Sequence, residues 1–320
     1  MDLPASLAVE GAAMRRSLVR DFSAVANTSI VMTLDPRFGA TEPPGPWETV
    51  CVDMGLEIDV LSRLMSTCDA SLIIAPETNG ILLERARLIE NIAGERSLGC
   101  TSPAIQLATN KLDLARHWNS LGIRTPETWT LATGEPLPKN LEFPAILKPI
   151  DGAGCVDTLV LECPDAIPRF TRGAILQPWI AGIPMSATCL VDAGRLAHLV
   201  AVGTQHIECV AGQLQYRGGE LPINQTYWDR NVRAAIDAVP GLRGIVGIDF
   251  VWTDEGSVVI EINPRPTTSI AAIVAILGPG ILATVWLQAM EGRWEGSELA
   301  DLFARDVSWN FDPAGRLLVR

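Results

Sequence analysis

Lysine is scarce in this chain. Lys111, Lys139 and Lys148 are the only lysines among 320 residues, and arginine supplies nearly all the remaining positive charge. The formal net charge of -12 also leaves no basic surface for a nucleic-acid backbone. Nucleic acid is therefore not an expected partner. An anionic ligand would have to be bound by a local cluster of cationic side chains or by a metal ion.

Paired cysteines and clustered histidines are also missing. The seven cysteines are odd in number and form no Cys-x-x-Cys pair, and the three histidines are scattered along the chain. This distribution argues against a disulfide framework and gives little weight to a zinc site. It predicts reduced thiols in a cytoplasmic protein.

An uninterrupted hydrophobic run of membrane-spanning length is absent as well. Residues 270–290 are apolar over about the length of a membrane helix, but Gly278, Pro279 and Gly280 interrupt them. No positively charged segment followed by an apolar stretch opens the chain. We therefore expect neither a secretory signal nor a membrane partner, and we interpret residues 270–290 as two short buried helices.

The most informative segment that is present is VVIEINPRPTTS, residues 258–269. Side chains two positions apart on a strand point to the same face, so Glu261 and Asn263 can offer oxygen ligands to one hard cation such as Mg²⁺. Arg265 lies one such step beyond them. Upstream, residues 247–251 have the pattern of a strand and residues 253–256 that of a hairpin turn, which brings Asp249 near Glu261.

Two carboxylates inside otherwise apolar strands need a partner. Either one alone is most simply an exposed strand residue, and Asn263 could merely end a strand. Together, as unpaired buried charges, Asp249 and Glu261 would cost several kcal/mol in desolvation. Since a bound cation removes that cost, we interpret Asp249, Glu261 and Asn263 as candidate metal ligands.

The remaining pattern predicts a chain that is α/β at first and α+β afterwards. Alternating strands and helices indicate a small Rossmann-like α/β domain at the start, with residues 70–75 as one of its strands. Residues 76–80 follow as a loop at the carboxyl end of that strand, where such sheets bind ligands. A helix is expected over residues 101–121 and a polar loop over residues 213–219. The predicted domains are residues 1–100, 101–178 and 179–320.

A glycine-rich turn follows the strand that ends at Lys148. Its Asp-Gly-Ala-Gly segment lacks the third glycine of the dinucleotide fingerprint, and no Lys-Ser/Thr pair follows as in a P-loop. The alternative that this turn is a hairpin with Gly152 and Gly154 over the phosphates of a ligand is open at this point. A free ammonium at the end of an apolar strand is poorly placed, although the surface is where lysine is usually found.

With these features in order, the chain resembles the ATP-grasp superfamily of carboxylate–amine ligases over about residues 97–280. The resemblance implies an ATP-grasp fold, in which two α+β subdomains grip ATP, preceded by a pre-ATP-grasp domain. It also implies ATP with Mg²⁺ or Mn²⁺ as cofactors, and an amino acid and an amine as small-molecule substrates. A homodimer is compatible with it.

The same resemblance assigns roles to single residues. It makes Lys111 and Lys148 the two lysines that bind the ATP phosphates, and it makes the three candidate metal ligands the magnesium site. Arg265 becomes the catalytic arginine that faces the terminal phosphates or the acyl-phosphate. The turn with Gly152 and Gly154 becomes a lid that closes over the intermediate.

The adenine-binding hinge is assigned in the same way. Gln177, Trp179 and Ile180 resemble the segment whose backbone groups recognise the base. Trp179 could cover the base or pack in the core, and both alternatives are open at this point.

Two positions depart from the family pattern. Gly247 stands where several members carry an arginine that stabilises the tetrahedral intermediate, and no acidic residue follows Gly182, where many place a ribose-binding glutamate. The ribose contact is therefore unassigned. The oxyanion donor is unassigned too, with Arg265 or Arg217 as candidates.

A narrower resemblance lies in three segments, EGAAMRRSLVRDF (10–22), LDPRF (34–38) and IIAPETNGILLERARLIE (73–90). They are similar to the ligases that join the γ-carboxylate of L-glutamate to tyramine in methanofuran-type cofactor biosynthesis. Two alternatives are open: a ligase for another amino acid or amine, and a catalytically idle ATP-binding scaffold. The absent glycine fingerprint argues against a dinucleotide-dependent oxidoreductase.

Overall fold

The computed structural model describes residues 5–37, 44–53, 55–131, 137–164, 173–294, 303 and 307–318. The helices are α1 (Ala5–Ser23), α2 (Glu57–Thr67), α3 (Ile81–Ala93), α4 (Ser102–Thr109), α5 (Lys111–Ser120), α6 (Arg230–Asp237), α7 (Ser269–Leu277) and α8 (Ile281–Met290). The strands are β1 (Val31–Leu34), β2 (Glu48–Cys51), β3 (Trp129–Leu131), β4 (Ala145–Pro149), β5 (Leu159–Leu161), β6 (Ala174–Pro178), β7 (Ile183–Val191), β8 (Ala197–Val210), β9 (Gln213–Leu221), β10 (Gly244–Thr253), β11 (Gly256–Asn263) and β12 (Trp309–Phe311).

The strands form two sheets of different kinds. β1 and β2 pair in parallel within the leading α/β part, and the other strands form one ten-stranded sheet. Its order is β11-β10-β7-β8-β9-β5-β4-β6-β3, with β12 also paired to β9. The expected change from an α/β to an α+β arrangement is confirmed. The predicted boundaries at residues 100 and 178 stay predictions.

The strands at the β11 end of the large sheet are covered on both faces. Along β7, Met185 and Cys189 pack into the core with α3 to α6, whereas Leu190 packs into the core with α1, α7 and α8. This alternation is the period of two expected of a strand. Ser186 and Thr188 lie between those inward residues and therefore share the α1 and α7 side of the sheet.

The apolar segment of residues 270–290 forms two helices, as predicted. Ile270 and Ile273 of α7, and Leu282 and Trp286 of α8, are fully buried in the core with α1. Within the described ranges, no single helix is long and apolar enough to span a membrane. α7 and α8 pass that test only as a pair, and they are bent by 108° at the break between them.

Two local predictions are wrong. Residues 70–75 do not form a regular strand, since Ser71 makes only an isolated bridge to Ser97 while Leu72, Ile73 and Ile74 pack against the helices on either side. Residues 213–219 are not a loop, because they belong to β9 and pair with β8. Although a polar, glycine-containing segment has a weak strand propensity, its pairing with the long strand β8 stabilises it as a strand.

The helix expected over residues 101–121 is broken at Asn110. That residue has φ -91° and ψ 96°, and its side-chain oxygen accepts a hydrogen bond of 3.1 Å from the backbone N–H of Asp113. Asn110 therefore acts as the N-cap of a new helix. The break places Lys111 at the first residue of α5.

Candidate functional site

One cleft brings together every site residue predicted from the sequence. It lies between the glycine-rich turn, the β10–β11 hairpin and the α1 side of the sheet. The predicted residues on its wall are Lys111, Lys148, Gly152, Gly154, Gln177, Trp179, Ile180, Asp249, Glu261, Asn263 and Arg265. Their roles stay predictions, but their convergence in one cleft is a property of the fold.

The hairpin places the two carboxylates opposite each other. Asp249 of β10 is the direct register partner of Glu261 of β11. Asp249 accepts two hydrogen bonds of 3.0 Å, from Nδ2 of Asn263 and from Nε2 of Gln205. Burial, together with the charge of Glu261, raises the pKa of Asp249 to about 7. Two partly buried carboxylates that repel each other are stabilised by positive charge between them.

This set of donors fits a hard divalent cation. Such ions prefer oxygen ligands, and Asp249 and Glu261 supply them from facing positions. Among the described residues, no three His, Cys, Asp or Glu side chains come together as a metal site, so the carboxamide of Asn263 would be the third ligand. A rotation of that amide exchanges its NH₂ group for its oxygen.

The two predicted phosphate lysines lie beside the carboxylates. Nζ of Lys111 is 3.3 Å from Oε2 of Glu261 and donates a 3.1 Å hydrogen bond to the carbonyl oxygen of Gly152. Lys148 is 6% exposed. Burial and the neighbouring Lys111 lower the pKa of Lys148 to about 8, against the opposing effect of Glu261. Burial alone would raise the pKa of Glu261, but the two ammonium groups outweigh it and lower that pKa.

The glycine-rich turn contacts the leading α/β part. Gly154 has φ 61°, a left-handed conformation that favours glycine. A carboxylate oxygen of Asp151 accepts a 2.7 Å hydrogen bond from the backbone N–H of Asn79, in the loop of the leading α/β part. The turn therefore contacts the loop of residues 76–80 that the sequence indicated as a ligand-binding loop.

The predicted hinge lies at the other end of the cleft from the contact between Asp151 and Asn79. Gln177 is buried, and its side-chain amide donates a 2.9 Å hydrogen bond to Oγ1 of Thr128. Trp179 is 41% exposed, so the alternative that it packs in the core is wrong. Its ring and Ile180 line the cleft, where a flat apolar group could stack.

Arg265 has a buried partner that the sequence did not reveal. Its Nε atom lies 2.8 Å from Oε1 of Glu77, and Nη2 donates a 2.9 Å hydrogen bond to Oε2. Burial alone would lower the pKa of Arg265, but Glu77 outweighs it and raises that pKa. Only the placement of Glu77 in the predicted ligand loop hinted at such a contact. Arg217, the other arginine considered, is largely exposed and pairs with Glu208.

A second acidic residue, Glu10 of α1, lies at the same end of the cleft. Its Oε2 atom accepts a 3.3 Å hydrogen bond from Thr268, and burial raises its pKa against the lowering effect of Arg265. Tyr216 and Phe311 line the cleft as well. Burial, with the charges of Asp249 and Glu10, raises the pKa of Tyr216, so its phenol stays neutral.

The cleft combines two lysines, a glycine-rich turn and a pair of carboxylates on neighbouring strands. These features lie on a large antiparallel sheet that follows an α/β part in the chain. Together they define an ATP-grasp protein. The chain belongs to the ATP-grasp family: the ATP-grasp domain matches residues 108–269, and the pre ATP-grasp 3 domain matches residues 28–105.

Among its relatives is the tyramine–L-glutamate ligase of Methanocaldococcus jannaschii, 32% identical over 205 residues, which are 63% of this chain and 57% of the relative. The chain thus spans less than two thirds of the length of that ligase. It is also 28% identical to the D-alanine–D-alanine ligase of Pseudomonas putida (strain GB-1) over 241 residues, covering 68% of this chain and 73% of the ligase.

Solved structures show the same fold. An Archaeoglobus fulgidus structure assigned to the ATP-grasp superfamily has a TM-score of 0.68 and 25% identity, covering 91% of this chain and 84% of the other. The D-alanine–D-alanine ligase of Bacillus anthracis, complexed with ATP, has a TM-score of 0.60 and 13% identity, covering 82% and 97% respectively. At that identity the second likeness concerns the fold alone.

Proposed function

We propose that this chain is an ATP-dependent carboxylate–amine ligase that joins the γ-carboxylate of L-glutamate to tyramine, with release of ADP and phosphate. The observation that carries the ligase assignment is the convergence of Lys111, Lys148, Asp249, Glu261 and Asn263 in one cleft. The similarity to tyramine–L-glutamate ligases supports the substrates. A cytoplasmic step of methanofuran-type cofactor biosynthesis follows from that choice.

An amide does not form directly from a carboxylate and an amine in water, because the carboxylate is a poor electrophile with a poor leaving group. In the proposed reaction a γ-carboxylate oxygen of glutamate attacks the terminal phosphorus of ATP, and the bond from that phosphorus to ADP breaks. Lys111 and Lys148 hold the phosphate oxygens in position. Arg265, oriented by Glu77, adds a fixed positive charge.

A divalent cation held by Asp249, Glu261 and Asn263 would supply further positive charge at the phosphate oxygens. Lys111 contacts Glu261 in the structure. Lys111 lies close enough to the same carboxylate to bind phosphate oxygens beside such a cation. The turn with Gly152 and Gly154 covers this end of the cleft and keeps water from the acyl-phosphate.

The side chains near α1 in the cleft support an aromatic amine as the second substrate. Glu10 supplies a carboxylate for a cationic amine, and Tyr216 and Phe311 supply aromatic surface. A ring with a short aminoalkyl chain matches both groups at once. Tyramine has that composition, whereas D-alanine, the substrate in the name of other relatives, has no ring.

The experiment is a product assay. Purified protein with ATP, Mg²⁺, L-glutamate and tyramine should release ADP and form γ-glutamyltyramide, identified by its mass. Phenethylamine and D-alanine serve as amine controls, and we expect the aromatic amines to react faster than D-alanine. ADP release only with another acid and amine would replace these substrates while leaving the ligase assignment in place. No ADP release with any amine tried would support the idle scaffold instead.

A further inference from the structure

The acyl-transfer end of the cleft is built around Gly247 of β10. A Cβ atom added to Gly247 would lie 2.5 Å from Cγ2 of Thr267, closer than real Cβ atoms come to other atoms. The Thr267 side chain thus occupies the space that a side chain at position 247 would need. An arginine cannot be accommodated there unless Thr267 moves.

Thr267 belongs to a chain of three hydroxyl groups. Its Oγ1 atom lies 2.9 Å from Oγ of Ser269, which lies 3.2 Å from Oγ1 of Thr188. All three residues line the cleft. Three hydroxyls carry three hydrogen atoms, and the two hydrogen bonds within the chain use only two of them. One O–H group is therefore left to donate to another acceptor.

Strand register fixes this hydroxyl cluster next to the carboxylates. Gly247 pairs with Thr188 on one side and with Asn263 on the other, and Asp249 is the next residue of β10 on the same face. Side chains two apart on a strand are separated by about 7 Å. An acyl carbon bonded to a phosphate at Asp249 and Glu261 would lie within reach of hydroxyls one step away.

The start of α7 adds to this position. Ser269 is the first residue of that nine-residue helix, and Thr268 is its N-cap residue. The N-terminus of a helix carries partial positive charge, which favours a developing negative charge nearby. Arg265 is engaged with Glu77. In the hydroxyl cluster, Oγ1 of Thr267 lies 3.4 Å from the position of a Cβ atom added to Gly247.

We propose that the hydroxyl cluster of Thr188, Thr267 and Ser269 donates to the oxyanion formed during amide synthesis, in place of an arginine side chain. This inference rests on the proposed ligase function. The neutral amine attacks the acyl carbon, a C–N bond forms, and the C=O π pair moves onto oxygen, which accepts the hydroxyl hydrogen bond. The pair then returns, the C–O bond to phosphate breaks, and the surplus proton on nitrogen passes to the departing phosphate.

The test distinguishes the effect of losing a hydroxyl group from the effect of changing the shape of the side chain. Thr267→Val keeps the branched side chain that packs on Gly247 but has no hydroxyl, Thr267→Ser keeps the hydroxyl, and Ser269→Ala removes a second donor. Each variant is first checked for folding by its melting temperature. Rapid-quench single turnovers with ATP, Mg²⁺, L-glutamate and tyramine then give two rates, one for ADP formation and one for γ-glutamyltyramide formation.

We expect Thr267→Val and Ser269→Ala to slow amide formation by about 100- to 1,000-fold, a typical loss for one oxyanion donor. ADP formation in the first turnover and the Kd for ATP should change by less than about twofold, since neither depends on the oxyanion. Thr267→Ser should restore the amide rate.

Amide rates within about twofold of the wild type in both hydroxyl-free variants would overturn the inference, as would an equal loss of ADP formation and amide formation. If another acid and amine are the substrates, the same comparison is made with that pair. If the wild type forms ADP and amide with no pair, the proposed function fails and this inference fails with it.

Discussion

Lys148 has a position that a lysine without an anionic ligand would not favour. Its ammonium is buried at the end of β4, and its pKa is lowered to about 8. We expect Lys148→Met to weaken ATP binding by about 10- to 100-fold, because a hydrogen bond to a charged group contributes about 1.5–3 kcal/mol. The unfolding free energy should not fall, since methionine removes a buried charge and keeps most of the apolar volume. Calorimetric titration and urea unfolding give both numbers.

The matched control is Lys139→Met. Lys139 is exposed and does not line the cleft. Its replacement should leave the Kd for ATP within about twofold of the wild type, as for surface substitutions in general. Equal losses in the two variants would mean that the effect follows from total charge and not from the site.

Glu77 and Arg265 form a buried ion pair beside the cleft, with side chains 4% and 9% exposed. Glu77→Gln leaves the guanidinium without its counter-charge, so we expect a loss of about 3–5 kcal/mol in unfolding free energy. Combining it with Arg265→Met should cost less than the sum of the two single changes, because the second change removes the unpaired charge. Glu208→Gln, in the exposed pair with Arg217, should cost less than about 1 kcal/mol. Additive costs in the buried pair would contradict this account.

Single residues differ in how far the sequence reveals them. Asp249 and Glu261 could be paired in advance because a short turn and a period of two fix which side chains meet in a hairpin. Glu77 could not be paired with Arg265, since 188 residues separate them and no local rule joins them. The sequence indicated only that Gly247 stands where several family members have an arginine. It gave no signal that three hydroxyl groups lie beside that position.

At the scale of elements, the break between α4 and α5 orients Lys111 toward Gly152 and Glu261. We expect Asn110→Ala to lower the unfolding free energy by about 0.5–2 kcal/mol through loss of the N-cap, and to raise the Kd for ATP. Asn110→Ser keeps a capping oxygen without placing a second carboxylate beside Asp113, which accepts a hydrogen bond from the Asn110 amide, and it should preserve both quantities. A fully stable Asn110→Ala protein with unchanged ATP binding would show that the break has no functional role.

Another element contact predicts a pH dependence. Asp21 of α1 accepts hydrogen bonds from the backbone N–H groups of Gly280 and Ala283 at the start of α8. Burial raises the pKa of Asp21, and those two N–H groups only partly oppose it. A carboxyl whose pKa is higher in the folded state stabilises the protein below its unfolded pKa, and that contribution is lost as the pH rises through the folded pKa.

The Asp21→Asn variant removes this titration. As the pH rises above about 4, where a free aspartate ionises, the unfolding free energy of the wild type should fall relative to that of Asp21→Asn. Urea unfolding of both proteins from about pH 4 to about pH 7 measures the difference. A difference that stays flat, or that changes in favour of the wild type, would contradict the raised pKa.

The elements also show why the sequence pattern was incomplete. Apolar residues continue on one face through residues 101–121, so periodicity alone predicts one helix, and only the capping preference of Asn110 marks the break. In residues 213–219, Leu214 and Tyr216 alternate with polar side chains as in a strand, but Gly218 and Gly219 give the segment the composition of a loop. The β10–β11 hairpin was predictable because its turn is short and both of its strands are apolar.

At the scale of the whole molecule, the leading α/β part completes the cleft. Asn79 contacts Asp151 of the glycine-rich turn, Glu77 holds Arg265, and Glu10 accepts a hydrogen bond from Thr268. Each of these contacts joins residues more than 70 positions apart. The phosphate and metal end of the site follows from local patterns, whereas the substrate end depends on this long-range assembly and on the tertiary fold.

The central claim is that Glu261 and its neighbours form the phosphate and metal site of an amide-forming enzyme. The most direct measurement is amine-dependent ADP release with ATP, Mg²⁺ and L-glutamate in the wild type, in Glu261→Gln and in Glu255→Gln, a change in the exposed hairpin turn. We predict a loss of at least about 100-fold for Glu261→Gln and less than about twofold for Glu255→Gln. Equal ADP release in all three proteins, with tyramine or any other amine, would contradict the claim.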